Sequence, residues 1–392
     1  MTRAVACISG SRADYHLMVP VFEALAAAPG LSATLLATCA HLHPAFRESS
    51  AQALRGFPGR VQFVDMPMDG DSGLGMAQAL GRGVLNLAQA LDALRPDILL
   101  LQGDRGEMLA GAMAAAHMNI PVVHMSGGDR TGSIDNAIRN AITAFAHVHL
   151  TTCADSTAAL LAMGEDPGRV FQVGEPALDR ILSMTFTPRA ELCARLNLDP
   201  AKPILAATLH PVTTEQDRAG EQMRALLEAL DALGEQTVLT EPNTDAGGQA
   251  MRETLRAHGE RPWLRVEQSL GFTAYASLLR EAAAMVGNSS SGILEAPSFG
   301  LPVVNVGQRQ HGRLRAGNVL DVDNDAPAIL AGLRRALHDE DFRAACRACV
   351  NPYGNGTASA ATADILARLD LGPALLDKWR ALNAPLLHGH GL

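Results

Sequence analysis

Aromatic residues make up only 4% of this 392-residue chain. A protein that stacks many bases or sugar rings on aromatic platforms carries more, so single-strand nucleic-acid binding is disfavoured. Basic charge is also short: 32 Lys and Arg face 41 Asp and Glu, a formal net charge of −9. That balance argues against a general DNA or anionic-membrane binder. No run of about 18 apolar residues free of charge occurs, so no membrane span is expected. The opening MTRAVACISGSRADYH carries a short strand-like run ending at Gly10 rather than a signal-peptide core, and a cytoplasmic location is expected. The six cysteines (Cys7, Cys39, Cys153, Cys193, Cys346, Cys349) are scattered. Only Cys346 and Cys349 stand close, in a helical-looking DFRAACRACV; a lone CxxC is weak for zinc, and no metal site is expected. Gly (36) and Pro (21) show no period, which excludes a collagen-like repeat.

What is present is a large apolar fraction, 47%, with 19% charged residues, enough for a substantial core and, by length, for two domains. Short apolar runs alternate with Ala/Leu-rich amphipathic stretches. Strands are expected at 4–9, 33–38, 61–65, 98–102, 122–125, 148–152 and 170–173, separated by helical patterns such as GLGMAQALGRGVLNLAQALDAL. The pattern restarts with strands at 203–209, 237–240, 264–266, 284–286 and 303–306. This predicts βαβ units and parallel sheets covered on both faces. The break lies near Met184, giving Rossmann-like domains 1–183 and 184–370. The stretch ATADILARLDLGPALLDKWRALNAP reads as helical, with a tail 371–392 expected to return to the first domain. Two doubly wound halves place ligands at the carboxyl ends of the strands, in a cleft between domains.

Five segments beyond strand ends carry chemistry. In ISGSRADYH, a Gly turn at a helix N-terminus suits phosphate, with Arg12 as a fork; it is not GxGxxG, so no dinucleotide site is expected. In LLLQGDRGEM, Asp104 and Arg105 follow an apolar strand, Asp104 placed for proton transfer or as an N-cap. In VVHMSGGDRTGSIDNAIRN, a strand ending at His124–Met125 leads to Ser126 and Asp129, then to a helix starting near Ser133 with Asp135 and Arg139 one turn apart. Gathered together, Asp104, Asp129 and Asp135 would repel one another, raising at least one pKa and preparing an acid/base pair. In AATLHPVTTE, His210 stands at a strand end as a proton carrier or phosphate ligand. In VGNSSSGILEAPSFGLPVVNVGQRQ, serines at a helix start form an anion site, Glu295 can accept two ribose hydroxyls, and Arg309 and Gln310 follow the next strand.

Taken in order, GSRADY, QGDR, GGD-x-TGSID-x-AIR, VGEPALD, LHPVT, PN-x-DAG and GNSSSGI-x-EAPSFG-x-PVVN-x-G-x-RQ-x-GR resemble the hydrolysing UDP-N-acetylglucosamine 2-epimerase family of sialic-acid and related nonulosonate pathways. The resemblance runs from residue 8 to about 320. It implies two Rossmann-like domains in the GT-B arrangement shared with many nucleotide-sugar glycosyltransferases, with UDP held mainly by the second. It implies conversion of UDP-N-acetylglucosamine, or a related UDP-2-acetamido sugar, to the free 2-epimer plus UDP through a 2-acetamidoglycal. No cofactor is implied, and a homodimer or homotetramer is.

Carried over residue by residue, the resemblance makes Arg12, Arg105, His210, Asn243, Ser289, Ser290, Glu295 and Arg309 nucleotide contacts, with Gln310 a further substrate-binding candidate. Asp104 and Asp135 match the acid/base carboxylates, and Asp129 stands where many members have another acid. Two positions depart. Many members have a catalytic Glu at Ser126, and members associated with diacetamido-trideoxyhexose substrates have His. Asn140 stands where His commonly follows the Arg that matches Arg139. Both departures belong to the sugar side, with Ser126 and Arg139 expected to line it. Competing readings are a non-hydrolysing 2-epimerase, a glycosyltransferase on the same scaffold, and a nucleotide-sugar sensor without catalysis.

Overall fold

The computed structural model describes residues 2–44, 46–66, 73–130, 135–243, 245 and 247–378. Its strands form two sheets, each parallel throughout. The first holds β1 (Arg3–Ser9), β2 (Leu31–Ala37), β3 (Arg60–Phe63), β4 (Ile98–Gln102), β5 (Val122–Met125), β6 (Val148–Thr151) and β7 (Val170–Gln172), in the order β3-β2-β1-β4-β5-β6-β7. The second holds β8 (Leu205–Thr208), β9 (Thr237–Thr240), β10 (Leu264–Glu267), β11 (Ala284–Gly287), β12 (Val303–Val306) and β13 (Val319–Val322), in the order β10-β9-β8-β11-β12-β13.

The apolar runs are continuous because both faces of each sheet are covered. In β4, Ile98 and Leu100 enter a core with Phe22 and Leu25, while Leu99 and Leu101 enter another with Leu87, Leu91 and Met108. That is the two-residue period of a strand between helix layers. In the second sheet Leu205 and Ala207 pack with Met223 and Leu333, and Ala206 faces Leu192 and Leu278. Strand β13 was not expected from the sequence. It lies at an edge, paired only to β12, and Asp321 interrupts its apolar run. There Asp321 accepts from the Asn305 side chain at 2.7 Å and pairs with Arg315.

The chain divides into two compact units. One contains the first sheet up to Arg180 and the segment from Tyr353 onward; the other runs Ile181–Pro352. The crossings therefore fall at Ile181 and Tyr353, against the expected 184 and 371. The return precedes the helix Ala358–Arg368, whose Ala363 and Leu366 join the first-unit core. Its start is held by Asp179, which accepts from the N–H groups of Ala358 and Ser359 at 3.1 and 2.6 Å.

The terminal stretch is not one helix. It stops at Arg368 and, among the described residues, resumes as the single turn Pro373–Leu376; Pro373 cannot donate the hydrogen bond that continuation needs. Arg169 grips this turn through the carbonyls of Leu375, Ala374 and Asp377 at 2.6, 2.9 and 2.7 Å. Residues 379–392 of the expected tail lie outside the described residues. Cys346 is buried in the helix Glu340–Ala348, and Cys349 is its C-cap. Among the described residues no helix is long and apolar enough to cross a membrane.

Strand order reverses between β1 and β4 in the first sheet and between β8 and β11 in the second. In a doubly wound sheet, the loops leaving the strands at such a switch point part to opposite sides and leave room for a ligand.

Candidate functional site

At the switch point of the first unit, β1 ends in the turn Gly10–Ser11. The N–H groups of Gly10 and Ser11 donate to the Asp14 carboxylate at 2.8 and 2.7 Å, and the Asp14 N–H donates back to Ser11 Oγ at 3.4 Å. This capping box starts the helix Arg12–Ala27. Arg12 is its first residue and is exposed. A cation there gains nothing from the positive helix end, a placement suited to an external anion.

Strand β4 leads through Gly103, at φ +79°, to Asp104 and Arg105. Arg105 is the N-cap of the helix Gly106–His117. Its Nε donates to Glu107 Oε1 at 2.6 Å, and Glu107 is only 4% exposed. The adjacent carboxylate raises the Arg105 pKa further above its ordinary value, so this cation is permanent.

Strand β5 ends beside it. His124 is fully buried, and burial drives its pKa down to about 3. The neutral ring has one donor, and Nε2 faces the Gly103 carbonyl at 2.8 Å, a pure acceptor. Nδ1 therefore accepts, and the Thr143 hydroxyl donates to it at 3.1 Å. His124 thus ties the turn after β4 to β5. Ser126 follows with φ +62°, the left-handed region. It is 5% exposed, and its hydroxyl has no partner among the described residues.

The three carboxylates are not a bare acidic cluster. Arg139, on the helix Asp135–Phe145, forms an ion pair with Asp104 and donates to the backbone carbonyl of Asp129. The Asp129 carboxylate accepts from Thr152 Oγ at 2.8 Å and Ser156 Oγ at 2.5 Å. The expected mutual repulsion left out this guanidinium and these hydroxyls. Arg139, expected to face substrate, is 4% exposed and turned to protein groups. Asp135 opens its helix and is half-buried, whereas Asn140 is exposed. Ser133, the expected helix start, lies outside the described residues.

The second unit repeats the logic between β8 and β11. Asn288 is an amide clamp: its Oδ1 accepts from the His210 N–H at 2.7 Å and its Nδ2 donates to the His210 carbonyl at 2.8 Å. The Asn288 carbonyl accepts from Arg309 Nη1 at 3.1 Å and Gln310 Nε2 at 2.9 Å. One residue thereby gathers His210, Arg309 and Gln310. Burial, reinforced by Arg309, lowers the His210 pKa to about 4. Its Nδ1 accepts from the Asn243 N–H at 3.2 Å, so the remaining proton sits on Nε2, available as a donor. The Asn243 side chain donates to Asp245 at 2.6 Å.

After Gly287 the serines form a hydroxyl chain: Ser289 Oγ to Ser291 Oγ at 2.8 Å, and Ser291 Oγ to Tyr275 Oη at 2.6 Å. Ser289 and Ser290 are partly exposed. The expected helix is a single turn, Ser291–Leu294, running into a 3₁₀ turn at Ala296–Phe299. Pro297 sits at the start of the latter, so hydroxyls and local N–H groups, rather than a long helix dipole, make the polar surface. Burial raises the Glu295 carboxyl to about 7, and it takes no side-chain hydrogen bond among the described residues.

Residues 23–367 match the family model described as UDP-N-acetylglucosamine 2-epimerase. The chain belongs to that family. It is 36% identical to a hydrolysing UDP-N,N'-diacetylbacillosamine 2-epimerase from Legionella pneumophila, over 97% of this chain and 100% of that protein. It is 32% identical to a hydrolysing GDP/UDP-N,N'-diacetylbacillosamine 2-epimerase from Campylobacter jejuni, over 81% and 84%. A solved UDP-GlcNAc 2-epimerase from Neisseria meningitidis, bound to UDP-GlcNAc, superposes with a TM-score of 0.79 at 19% identity, covering 93% of this chain and 99% of that one. The two-Rossmann, GT-B-type fold of the epimerase family is therefore this chain's fold.

Residues the sequence reading passed over hold these sets together: Asn288, Glu107, His124, Thr143 and Tyr275. Asn288 lay within the quoted GNSSSG, but its clamp depends on β8 and β11 being neighbours across 78 residues. Among the described residues no group of three or more His, Cys, Asp or Glu side chains is placed to hold a metal ion.

Proposed function

We propose that the chain is a hydrolysing 2-epimerase that converts a UDP-linked 2-acetamido sugar to the free 2-epimer and UDP. The observation that carries this is the full-length likeness to the Legionella enzyme. Sequence reasoning put UDP-N-acetylglucosamine first. The names of the two relatives favour UDP-N,N'-diacetylbacillosamine, a diacetamido-trideoxyhexose donor, and it becomes the first candidate. The small Ser126 in place of an acid or His supports a sugar pocket altered from the common one.

In this reading the second unit holds the nucleotide. Glu295 accepts ribose hydroxyls. His210 Nε2–H, Arg309 and the Ser289–Ser290 hydroxyls donate to the diphosphate, joined by Arg12 and Arg105. Stabilising the departing diphosphate lowers the barrier directly, because that is where negative charge develops. The first unit handles protons. A carboxylate takes the C2 proton while the C1–O bond to the diphosphate breaks, and the electron pair forms C1=C2. Water then adds, its oxygen to C1 and a proton to C2 on the opposite face. Redox level is unchanged, so the chemistry requires no hydride carrier. Asp104, held in place by the Arg139 guanidinium, is one proton-transfer carboxylate. Asp135 is the second such carboxylate, and Asp129, held by the Thr152 and Ser156 hydroxyls, is the third candidate.

The free sugar produced is of the kind that nonulosonate pathways consume. The test is turnover of UDP-N,N'-diacetylbacillosamine and UDP-N-acetylglucosamine by wild type, Asp104→Asn and Asp135→Asn. Release of free sugar and UDP, with kcat reduced about 100-fold or more in each variant, is expected. Wild-type turnover in both variants overturns the carboxylate assignment. A UDP-linked epimer as the sole product overturns the hydrolysing one.

A further inference from the structure

Glu107 is a carboxylate that the mechanism above does not use. It sits in the first turn of the helix Gly106–His117 and is 4% exposed. Burying a carboxylate is costly unless it is paired and hydrogen-bonded. Its partner is Arg105 Nε, at 2.6 Å. The pairing is end-on: it uses Nε and leaves both terminal nitrogens of Arg105 without a hydrogen bond among the described residues. The Arg105 side chain is half exposed, at 49%. A free arginine side chain samples many rotamers, whereas this one is held by its neck, through Nε, while its two terminal nitrogens are not hydrogen-bonded to the acid.

The turn after β1 is shaped around the same carboxylate. A Cβ at Gly10 would lie 1.8 Å from Glu107 Oε1 and 2.4 Å from its carboxyl carbon. Any side chain there displaces Glu107, so the glycine of ISGSR serves the acid of GDRGE across the β1–β4 switch point. Gly10 is independently fixed by its N–H bond to Asp14. The carboxylate is therefore boxed between a constrained turn and the helix start, with Arg105 the cation paired to it among the described residues.

We propose that Glu107 is a positioning residue, which fixes the Arg105 guanidinium so that its terminal nitrogens form a bidentate site for the diphosphate of the nucleotide sugar. The inference rests on the reading of Arg105 as a diphosphate contact. Bidentate arginine recognition requires a fixed plane, and prior fixation removes the rotamer entropy otherwise lost on binding. Lysine at 105 could not substitute, because it has no Nε–H neck to hold while a fork stays free.

The experiment is a double-mutant cycle with Glu107→Ala, Arg105→Ala and the double variant, reading kcat/KM for the UDP-sugar, the Kd for UDP by calorimetry, and thermal melting. Glu107→Ala is expected to reduce kcat/KM and UDP affinity about 10- to 100-fold. Glu107→Gln, whose amide oxygen still accepts from Nε, is expected to recover a substantial part. On the Arg105→Ala background, Glu107→Ala is expected to add less than about twofold. A full Glu107→Ala penalty in the absence of Arg105, or no penalty in its presence, overturns the proposal. If the alanine variant does not fold, the same cycle with Glu107→Gln decides, with a smaller loss in the Arg105 background and none without it. Failure of wild type to bind UDP overturns the functional reading itself, a result distinct from wild-type binding that Glu107→Ala leaves unchanged.

Discussion

At the scale of single residues, the two most informative groups are titratable and both have been moved by burial. Glu295 is raised to about 7. In the proposed ribose-binding role a carboxylate accepts two hydroxyls, whereas the protonated acid offers only a single strong acceptor oxygen, so the binding-competent form would appear as pH rises through 7. UDP affinity is expected to increase up to about tenfold from pH 6 to pH 8 relative to Glu295→Gln, which carries the same ionisation of the ligand but not of the side chain. Parallel pH curves for the two proteins contradict this. His210 moves the other way, to about 4. It is neutral throughout the physiological range, with its proton directed to Nε2 by the Asn243 N–H. Sequence reasoning offered a proton carrier or a phosphate ligand, and the tautomer favours the donor. His210→Ala is expected to weaken UDP binding about tenfold, with no new inflection in kcat between pH 5.5 and 7. Calorimetry and a pH–rate profile check the two halves.

At the scale of elements, the site depends on how strands end. Strand β11 finishes at Gly287, with φ +130° and a hypothetical Cβ only 1.9 Å from the Thr208 carbonyl of β8. That contact is to backbone and cannot yield by a rotamer change. Gly287→Ala is expected to destabilise the second unit by about 2 kcal/mol or more, measured as a lowered urea midpoint; an unchanged midpoint contradicts the account. In the first unit, the helix carrying Asp135 and Arg139 is terminated by Lys378, one of only two lysines in the chain. Its ammonium donates to the carbonyls of Thr143 and Ala144 at 3.0 and 3.2 Å and pairs with Glu165 at 2.9 Å. A cation on the last carbonyls complements the helix dipole. Lys378→Ala is expected to cost about 1–2 kcal/mol, read from the denaturation midpoint, with Lys378→Arg retaining most of it.

At the scale of the molecule, the apolar strands were legible because burial on both faces writes itself as runs such as ILLLQ and VVHM, and β4, β5, β9 and β12 fall where those runs stand. Edge strand β13 was not, since one-sided pairing tolerates Asp321. The motif residues after each strand were legible as candidates, but their partners were not. Arg139 reaches Asp104 across 35 residues, and Asn288 reaches His210 across 78; such pairs arise from strand order, which no local pattern encodes. The shortage of positive charge is likewise met by few and local groups. Arg12, Arg105 and Arg309 stand at strand ends, while Arg139 is spent on holding an acid in place.

The proposed elimination across C1–C2 followed by hydration leaves an isotopic record in the product. The enzyme is incubated with UDP-N,N'-diacetylbacillosamine in deuterated water and the products are followed by NMR. Free 2-epimerised sugar carrying deuterium at C2, with stoichiometric UDP, is the expected product. Free sugar that retains its C2 proton, or a sugar still linked to UDP, contradicts it.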